Sequence, residues 1–181
     1  ALISFGAQLI IEQTPKNISK EIILDIVNDY LKCAGAQGIV AGQIADIEAE
    51  GKKIDLNNLK YIHKYKTGAL FKCSIITGAK IANVNKDILL KLEEYADNFG
   101  ILFQIYDDII DCTLTTQQLG KTAGKDKIVN KLTYVSAWGL DKARSILFEM
   151  IEKNKQILKE LNINSLIFDK IYEMLINRIG E

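Results

Sequence analysis

The sequence has 181 residues, is 48% hydrophobic, and carries 23 basic residues against 23 acidic ones. This length and apolar content predict one domain with its own core, while the balanced charge excludes a global field that would attract nucleic acid or an anionic membrane. No apolar stretch reaches the roughly 18–20 uncharged residues that a transmembrane segment needs. Three widely spaced cysteines in apolar surroundings, Cys33, Cys73 and Cys112, predict buried thiols in a reducing, cytoplasmic compartment.

Long helices are predicted along most of the chain, because Pro15 is its single proline and apolar residues recur at spacings of three and four. Ser19 is expected to be the N-cap of the second helix, with Glu21 in the first turn. A polar segment with two glycines, residues 115–131, predicts a long loop. The expected helices cover residues 1–13, 19–48, 55–82, 85–114, 133–161 and 165–180. No strand pattern competes, so the predicted fold is all-α.

An acidic motif interrupts the otherwise apolar stretch FGILFQIYDDIIDCTL, residues 99–114. Asp107 and Asp111 are four residues apart and therefore share one face of a helix, and Gln104 lies on the same stripe. Burying ionised carboxylates is costly unless something compensates their charge, and a bound cation does so. Oxygen ligands suit Mg²⁺, which usually adds water and phosphate oxygens. The motif favours a magnesium site for a phosphate ester, with a solvated helix face as the alternative.

A second motif, KYKTGALFKC at residues 64–73, places Gly68 inside a predicted helix. Glycine is unfavourable there unless the backbone is distorted or approached closely, and a carbonyl freed by a distortion could face a ligand. Lys66 and Thr67 directly precede this glycine. The alternative is a helix whose lysines simply extend to solvent.

Four lysines of the predicted loop form a third element. They are Lys121, Lys125, Lys127 and Lys131. Since the loop directly follows the acidic helix, these lysines would close over a diphosphate bound there. A solvated loop is the alternative.

A fourth element lies within GAQGIVAGQIADIEAEGKK, where three glycines recur at helical spacing. Close packing of another helix is the first explanation for Gly35, Gly38 and Gly42. Gln43 and Asp46 follow, and they either support a site or lie on plain surface. His63, the single histidine, has no serine or cysteine at triad spacing, so we expect a structural role.

The four elements GQIADIEAEGK, YIHKYKTGALF, FGILFQIYDDIIDCTL and LGKTAGKDKIVNKLTY, in this order, closely resemble the trans-isoprenyl diphosphate synthases. The similarity is greatest to the bacterial and plastid type farnesyl and geranylgeranyl diphosphate synthases, and DDIID resembles their second aspartate-rich motif. The resemblance runs along the whole chain. It implies the all-α isoprenoid synthase fold, here a partial helical bundle around a large cavity, and a homodimer.

The resemblance implies a magnesium and diphosphate site. Asp107 and Asp111, with Asp108 beside them, would hold Mg²⁺ against the diphosphate of the allylic substrate. Three lysines would contact the same diphosphate. They are Lys66, Lys121 and Lys131.

The resemblance also implies which residues surround the reacting carbon. Lys66, Thr67 and Gln104 would be catalytic, with Thr67 and Gln104 next to the carbon that becomes cationic. Isopentenyl diphosphate would then attack that carbon through its double bond and lose a proton. Gln43 and Asp46 complete the expected substrate-binding residues.

Family members are considerably longer, and their first aspartate-rich motif, with its arginine pair, precedes the point at which this chain starts. Residues 1–181 are therefore expected to be the C-terminal portion of a single polyprenyl synthase domain, inactive alone, with an organelle as the alternative location. The missing helices would leave apolar faces around Phe99, Phe103 and Tyr106 exposed, so a dimer or larger species is expected.

Farnesyl diphosphate is the expected product of the full protein, with geranylgeranyl or geranyl diphosphate as the alternatives. A terpene cyclase is the competing enzyme, since it uses the same fold and an aspartate-rich motif. The alternative from another class is a non-catalytic regulatory subunit of a prenyl synthase.

Overall fold

The computed structural model describes residues 1–52, 54–114 and 132–180. Within these ranges the regular secondary structure is entirely helical, so the all-α prediction is confirmed. The helices are α1 (Leu2–Gln13), α2 (Lys20–Ala34), α3 (Ile39–Ala49), α4 (Leu56–His63), a π-helical segment (Lys64–Gly68), α5 (Ala69–Ile81), α6 (Lys86–Thr113), α7 (Tyr134–Trp138), α8 (Leu140–Glu160) and α9 (Leu166–Ile179).

The chain divides into two compact units. The first unit contains Ala1–Ile47 and Tyr61–Gly100, and the second contains Glu48–Lys60 and Ile101–Glu181. The long helix α6 therefore contributes its first half to one unit and its second half to the other. No helix in the described part of the chain is long and apolar enough to cross a membrane.

The predicted start of the second helix is confirmed, but its predicted length is wrong. Ser19 Oγ accepts a hydrogen bond from the backbone N–H of Ile22 at 3.3 Å, and Glu21 lies in the first turn. The helix ends at Ala34, and a turn leads into α3. At Gly38, inside this turn, an added Cβ would lie 1.9 Å from the carbonyl oxygen of Cys33. The turn therefore requires glycine at this position. The helix is interrupted here although the apolar periodicity continues.

Two other predicted helices contain a break or a distortion. The helix over 55–82 is continuous but passes through the π-helical segment, and Asp55 Oδ1 caps its start by accepting from the N–H of Asn58 at 2.8 Å. The helix predicted over 133–161 is interrupted at Gly139, whose φ of +82° lies in the left-handed region. Glycine reaches that region without steric cost, so the chain ends α7 there and begins α8.

In the first unit α2 packs on α5, and α1 lies against α2 without burying any of its own residues. Lys80 on α5 binds the carboxylates of Asp25 and Asp29 on α2, which ties the two helices together. Phe99 is only 5% exposed and packs edge-on against Phe71. The side chains in the core of this unit include Ile26, Ile62, Ile76, Leu92, Tyr95 and Phe99.

The second unit has its own core, built from Leu59 of α4, the end of α6, α8 and α9. Arg144 on α8 also donates a hydrogen bond to the backbone oxygen of Ile179 at the end of α9, at 3.3 Å. The fully buried side chains of the second unit include Leu59, Leu102, Ile105, Ile109, Leu147, Ile151, Leu158 and Tyr172.

The expectation that Phe99, Phe103 and Tyr106 form an exposed face is wrong. Phe99 and Tyr106 are both buried, and Phe103 is half-buried. Contacts with aromatic partners account for this: Phe99 packs against Phe71 in the first unit, and Phe103 packs against Tyr106 in the second. Association through these side chains is therefore not expected.

Candidate functional site

The acidic motif lies on the last turns of α6, where apolar residues on the opposite face anchor the helix in its core. Leu102, Ile105 and Ile109 are completely or almost completely buried. The carboxylate side chains differ in exposure: Asp107 is half-buried, whereas Asp108 is 3% and Asp111 is 8% exposed. The sequence alone predicted their helix face but not this difference in burial. We refer to Gln104, Asp107, Asp108 and Asp111 as the aspartate cluster.

Asp108 accepts hydrogen bonds from two protein groups. Its Oδ1 accepts from the side-chain Nε2 of Gln104 at 3.1 Å, and its Oδ2 accepts from the backbone N–H of Tyr134 at 2.8 Å. Tyr134 is the first residue of α7, and Thr133 forms a reciprocal capping box with Ser136 at the same helix start. Sequence reasoning missed this contact because it joins residues 26 positions apart.

Tyr134 is itself a buried side chain beside this carboxylate. Burial, and then the negative charge of Asp108, raise the pKa of the Tyr134 phenol to about 12. The phenol therefore keeps its proton to a higher pH than an exposed tyrosine does.

Asp111 is the carboxylate of this cluster whose environment points to a cation. Its Oδ2 is buried and has no hydrogen-bond partner among the described residues. A buried carboxylate oxygen without a donor is unfavourable, and a metal ion removes that cost. Among residues 1–52, 54–114 and 132–180, no three His, Cys, Asp or Glu side chains are grouped closely enough to hold a metal. Mg²⁺ commonly takes only one or two protein carboxylates, so Asp107 and Asp111 fit it in number and chemistry.

In the first unit, Lys66 and Asp46 form an ion pair between the π-helical segment and α3. The carboxylate side chain of Asp46 is 8% exposed, and the side chain of Lys66 is 33% exposed. The pair therefore holds the Lys66 ammonium at a defined position, and part of the Lys66 side chain still reaches solvent. We refer to Asp46, Lys66 and the half-buried Thr67 as the ion-pair cluster.

Close backbone packing explains the glycine next to this pair. A Cβ on Gly42 would lie 2.1 Å from the backbone nitrogen of Lys66, so α3 rests directly on the π-helical segment. The prediction of close helix packing is confirmed at Gly42. Gly35 and Gly38 instead lie in the turn that precedes α3.

The backbone distortion predicted around Gly68 is also confirmed. The five residues Lys64–Gly68 form the π-helical segment, in which hydrogen bonds close over wider turns than in an α-helix. Gly68 is buried, and a Cβ on Gly100 of α6 would lie 2.7 Å from its Cα atom. Two glycines therefore allow the helices to cross at backbone contact.

The remaining predicted residues are not part of the aspartate cluster or the ion-pair cluster. Gln43 is exposed on α3, whereas His63 is 4% exposed, as expected for a structural histidine. The four loop lysines lie outside the described residues. They are Lys121, Lys125, Lys127 and Lys131.

Sequence comparison relates this chain to characterised enzymes. A family model described as polyprenyl synthetase matches residues 6–165. The chain is 39% identical over 163 residues to the chloroplastic geranylgeranyl pyrophosphate synthase of Catharanthus roseus, covering 90% of this chain and 45% of that protein. It is 34% identical over 177 residues to the farnesyl diphosphate synthase of Geobacillus stearothermophilus, covering 98% of this chain and 60% of the relative. The chain thus spans about half the length of the curated relatives that it matches.

Solved structures have the same fold. An FPP/GFPP synthase from Zymomonas mobilis aligns with a TM-score of 0.73 at 28% identity, covering 90% of this chain and 52% of that one. A geranyltransferase from Helicobacter pylori, in complex with magnesium and isoprenyl diphosphate, aligns with a TM-score of 0.79 at 23% identity. That alignment covers 98% of this chain and 57% of the other. The expected isoprenoid synthase fold is therefore confirmed.

Proposed function

We propose a function for this chain from one premise: it belongs to the polyprenyl synthetase family. The proposed activity is that of a trans-prenyltransferase, which condenses an allylic diphosphate with isopentenyl diphosphate. The observation that carries the proposal is the buried carboxylate oxygen of Asp111 without a hydrogen-bond partner in the described residues, one turn from Asp107 on α6. Such an oxygen suits a cation, and a cation suits a diphosphate leaving group.

The aspartate cluster supplies the metal ligands in this proposal. Asp107 and Asp111 would hold Mg²⁺, which would neutralise the charge that develops on the departing diphosphate. Asp108 was the third candidate ligand, but its two oxygens already accept hydrogen bonds from Gln104 and Tyr134. We therefore place it beside the metal site rather than on the ion.

The family resemblance is the ground for proposing that Lys66 of the ion-pair cluster supplies a positive charge to a diphosphate. Lys66 would bind a diphosphate oxygen with an ammonium that Asp46 holds in position. Lys121 and Lys131 are proposed to add further positive charge, and Gln43 to contact substrate from α3. The roles of Lys121, Lys131 and Gln43 rest on the family resemblance alone. Substituting each residue and measuring prenyl transfer tests them.

Two polar side chains are proposed to face the reacting carbon. The family resemblance is the ground for both, Thr67 and Gln104: each would present an oxygen atom as positive charge develops, while apolar neighbours exclude water. An excluded water molecule cannot capture the carbocation, so the double bond of isopentenyl diphosphate is the nucleophile that remains. Loss of a proton then completes the condensation.

Farnesyl diphosphate is the proposed product, with geranylgeranyl or geranyl diphosphate as the alternatives. Relatives with both product names align with the chain, so they support the chemistry without selecting the length. The proposal concerns a protein of the relatives' full length. The 181-residue chain by itself is proposed to be inactive, since a productive diphosphate site needs donors on both sides.

A homodimer is also proposed, with α1 in the contact. No residue of this helix is buried in the single chain. Its exposed large apolar side chains are Leu2, Ile3, Phe5, Leu9 and Ile11. An apolar surface of this kind is stabilised when a second copy covers it.

The test is to incubate the full-length protein with Mg²⁺, dimethylallyl diphosphate and labelled isopentenyl diphosphate, and to identify the products. An elongated prenyl diphosphate supports the proposal, and its chain length decides among farnesyl, geranylgeranyl and geranyl diphosphate. A cyclic hydrocarbon formed from the allylic diphosphate alone would make the protein a terpene cyclase. No turnover, combined with stimulation of a separate prenyl synthase, would make it a regulatory subunit.

A further inference from the structure

Asp108 connects two elements through one buried carboxylate. Oδ1 accepts from the amide of Gln104 one turn earlier on α6, and Oδ2 accepts from the first backbone N–H of α7. We propose that Asp108 is a positioning residue, whose carboxylate decides which end of the Gln104 amide faces the substrate. The inference rests on the proposed function, in which Gln104 lies beside the carbon that becomes cationic.

The chemistry of the two side chains supports this role. An amide ends in an oxygen that accepts hydrogen bonds and a nitrogen that donates them, and the two ends have nearly the same shape. An ionised carboxylate only accepts, so Asp108 takes the Nε2 end of Gln104 and directs Oε1 away from itself. An oxygen stabilises a neighbouring carbocation, whereas an NH₂ group repels it. The orientation of this amide therefore affects the rate.

The position of Asp108 is itself well determined. Asp108 is 3% exposed, so water has little access to its carboxylate. Its second partner, the Tyr134 N–H, follows Thr133, whose Oγ1 accepts from the N–H of Ser136 at 3.0 Å. Ser136 Oγ accepts in return from the N–H of Thr133 at 2.8 Å. A capped helix start thus holds Asp108, and Asp108 holds Gln104.

The inference divides the three aspartates of the DDIID motif by function. Asp111 has a buried oxygen with no donor among the described residues, which suits a cation. Both oxygens of Asp108, in contrast, accept hydrogen bonds from protein groups. If Asp108 bound Mg²⁺ directly, its replacement would change the metal dependence of the reaction. If it only orients Gln104, the metal dependence stays the same and kcat falls.

The experiment uses four full-length proteins: wild type, Asp108→Asn, Gln104→Glu and the double variant. In Asp108→Asn, the asparagine oxygen still accepts from Tyr134, but its NH₂ group then faces Gln104. Gln104 must turn its oxygen toward that group and its nitrogen toward the substrate. We expect kcat to fall on the order of tenfold to a hundredfold, with the KM for the allylic diphosphate and the Mg²⁺ dependence unchanged.

The double variant distinguishes positioning from a structural role. In this protein the introduced glutamate accepts from the introduced asparagine with one oxygen and presents the other oxygen to the substrate, so at least part of the lost kcat should return. In the wild-type background, Gln104→Glu places two carboxylates together and should lower kcat. The same substitution thus helps in one background and harms in the other, which a loss of folding alone does not produce.

Three results would overturn the inference. Absence of rescue by Gln104→Glu, with kcat falling only as the folded fraction falls, would make Asp108 a structural residue. A raised Mg²⁺ requirement in Asp108→Asn would make it a metal ligand. A wild-type protein that is inactive rejects the proposed function, and the inference with it, whereas an active wild type without the rescue rejects the inference alone.

Discussion

The buried carboxylate of Asp46 on α3 binds the ammonium of Lys66 in the π-helical segment, 20 residues further along the chain. The two partners are unequally exposed, with 8% of the Asp46 side chain and 33% of the Lys66 side chain accessible to solvent. Removing either partner leaves the other charge without this compensation. Because water reaches Lys66 more easily, the two losses should differ in size.

We therefore expect Lys66→Met to destabilise the fold more than Asp46→Asn does. The lysine substitution leaves a buried carboxylate, which should cost about 1–3 kcal/mol, and the aspartate substitution should cost less than half of that. Urea unfolding of both variants measures the difference. Equal losses would show that Asp46 is compensated independently of Lys66.

Gly42→Ala should strongly destabilise the protein. The added Cβ would lie 2.1 Å from the Lys66 backbone nitrogen, and backbone atoms cannot move aside as a side chain can. We expect a loss of about 1–3 kcal/mol or more. Gly78→Ala, on α5, is the matched control, because a Cβ at this position would meet nothing within 4 Å. This substitution should stabilise the helix by about 0.5–1 kcal/mol. Thermal unfolding of both variants tests this, and similar effects would contradict the packing of α3 on the π-helical segment.

Asp111→Asn should make the protein more stable and less active. The substitution removes a buried charge whose Oδ2 has no donor among the described residues, so the free energy of unfolding should rise. It also removes a proposed metal ligand, so prenyl transfer should fall and the thermal shift produced by Mg²⁺ with diphosphate should disappear.

The control for this prediction is Asp97→Asn on the same helix. Asp97 binds Lys72 at 3.0 Å, and its side chain is 44% exposed. This variant should keep the thermal shift produced by Mg²⁺ with diphosphate. An Asp111→Asn protein that keeps the same shift would place the metal elsewhere.

Tyr134 should make the protein sensitive to high pH. Burial, and then the charge of Asp108, raise the pKa of its phenol from 10.0 to about 12 in the folded state. Between these values the unfolded chain loses this proton while the folded chain keeps it, so the stability falls as the pH rises. Tyr134→Phe should show a shallower decline of the free energy of unfolding above pH 10. Tyr61→Phe, at an exposed position on α4, is the control and should follow the wild type.

Substitutions on α1 should reduce self-association. Phe5 is 53% exposed and Ile11 is 57% exposed, so a variant with Phe5→Glu and Ile11→Glu places charge on the proposed contact without disturbing a core. Light scattering should show a smaller species, while circular dichroism shows unchanged helix content. A wild-type protein that is already monomeric would be unchanged by these substitutions in both measurements. That result would reject the proposed dimer contact.

The sequence by itself determined the features that depend on neighbours within one or two helical turns. The starts and ends of α1, α6 and α9 follow from apolar periodicity, and the cap at Ser19 follows from a hydroxyl three residues before an N–H. The shared helix face of Asp107 and Asp111 follows from their spacing of four. The glycine at position 68 likewise indicated a distortion that the π-helical segment provides.

Only the tertiary structure decided the contacts between distant residues. Periodicity over 19–48 is continuous, yet the chain turns between α2 and α3, where Gly38 permits a backbone approach to Cys33 that any side chain would block. The burial of Phe99 against Phe71, and the pairing of Asp46 with Lys66, depend on how helices pack. The proposed positioning role of Asp108 depends on the hydrogen bond from the Tyr134 N–H, 26 residues away. A sequence specifies local backbone preferences directly, but a carboxylate's partner is decided by whichever donor the packed helices bring to it.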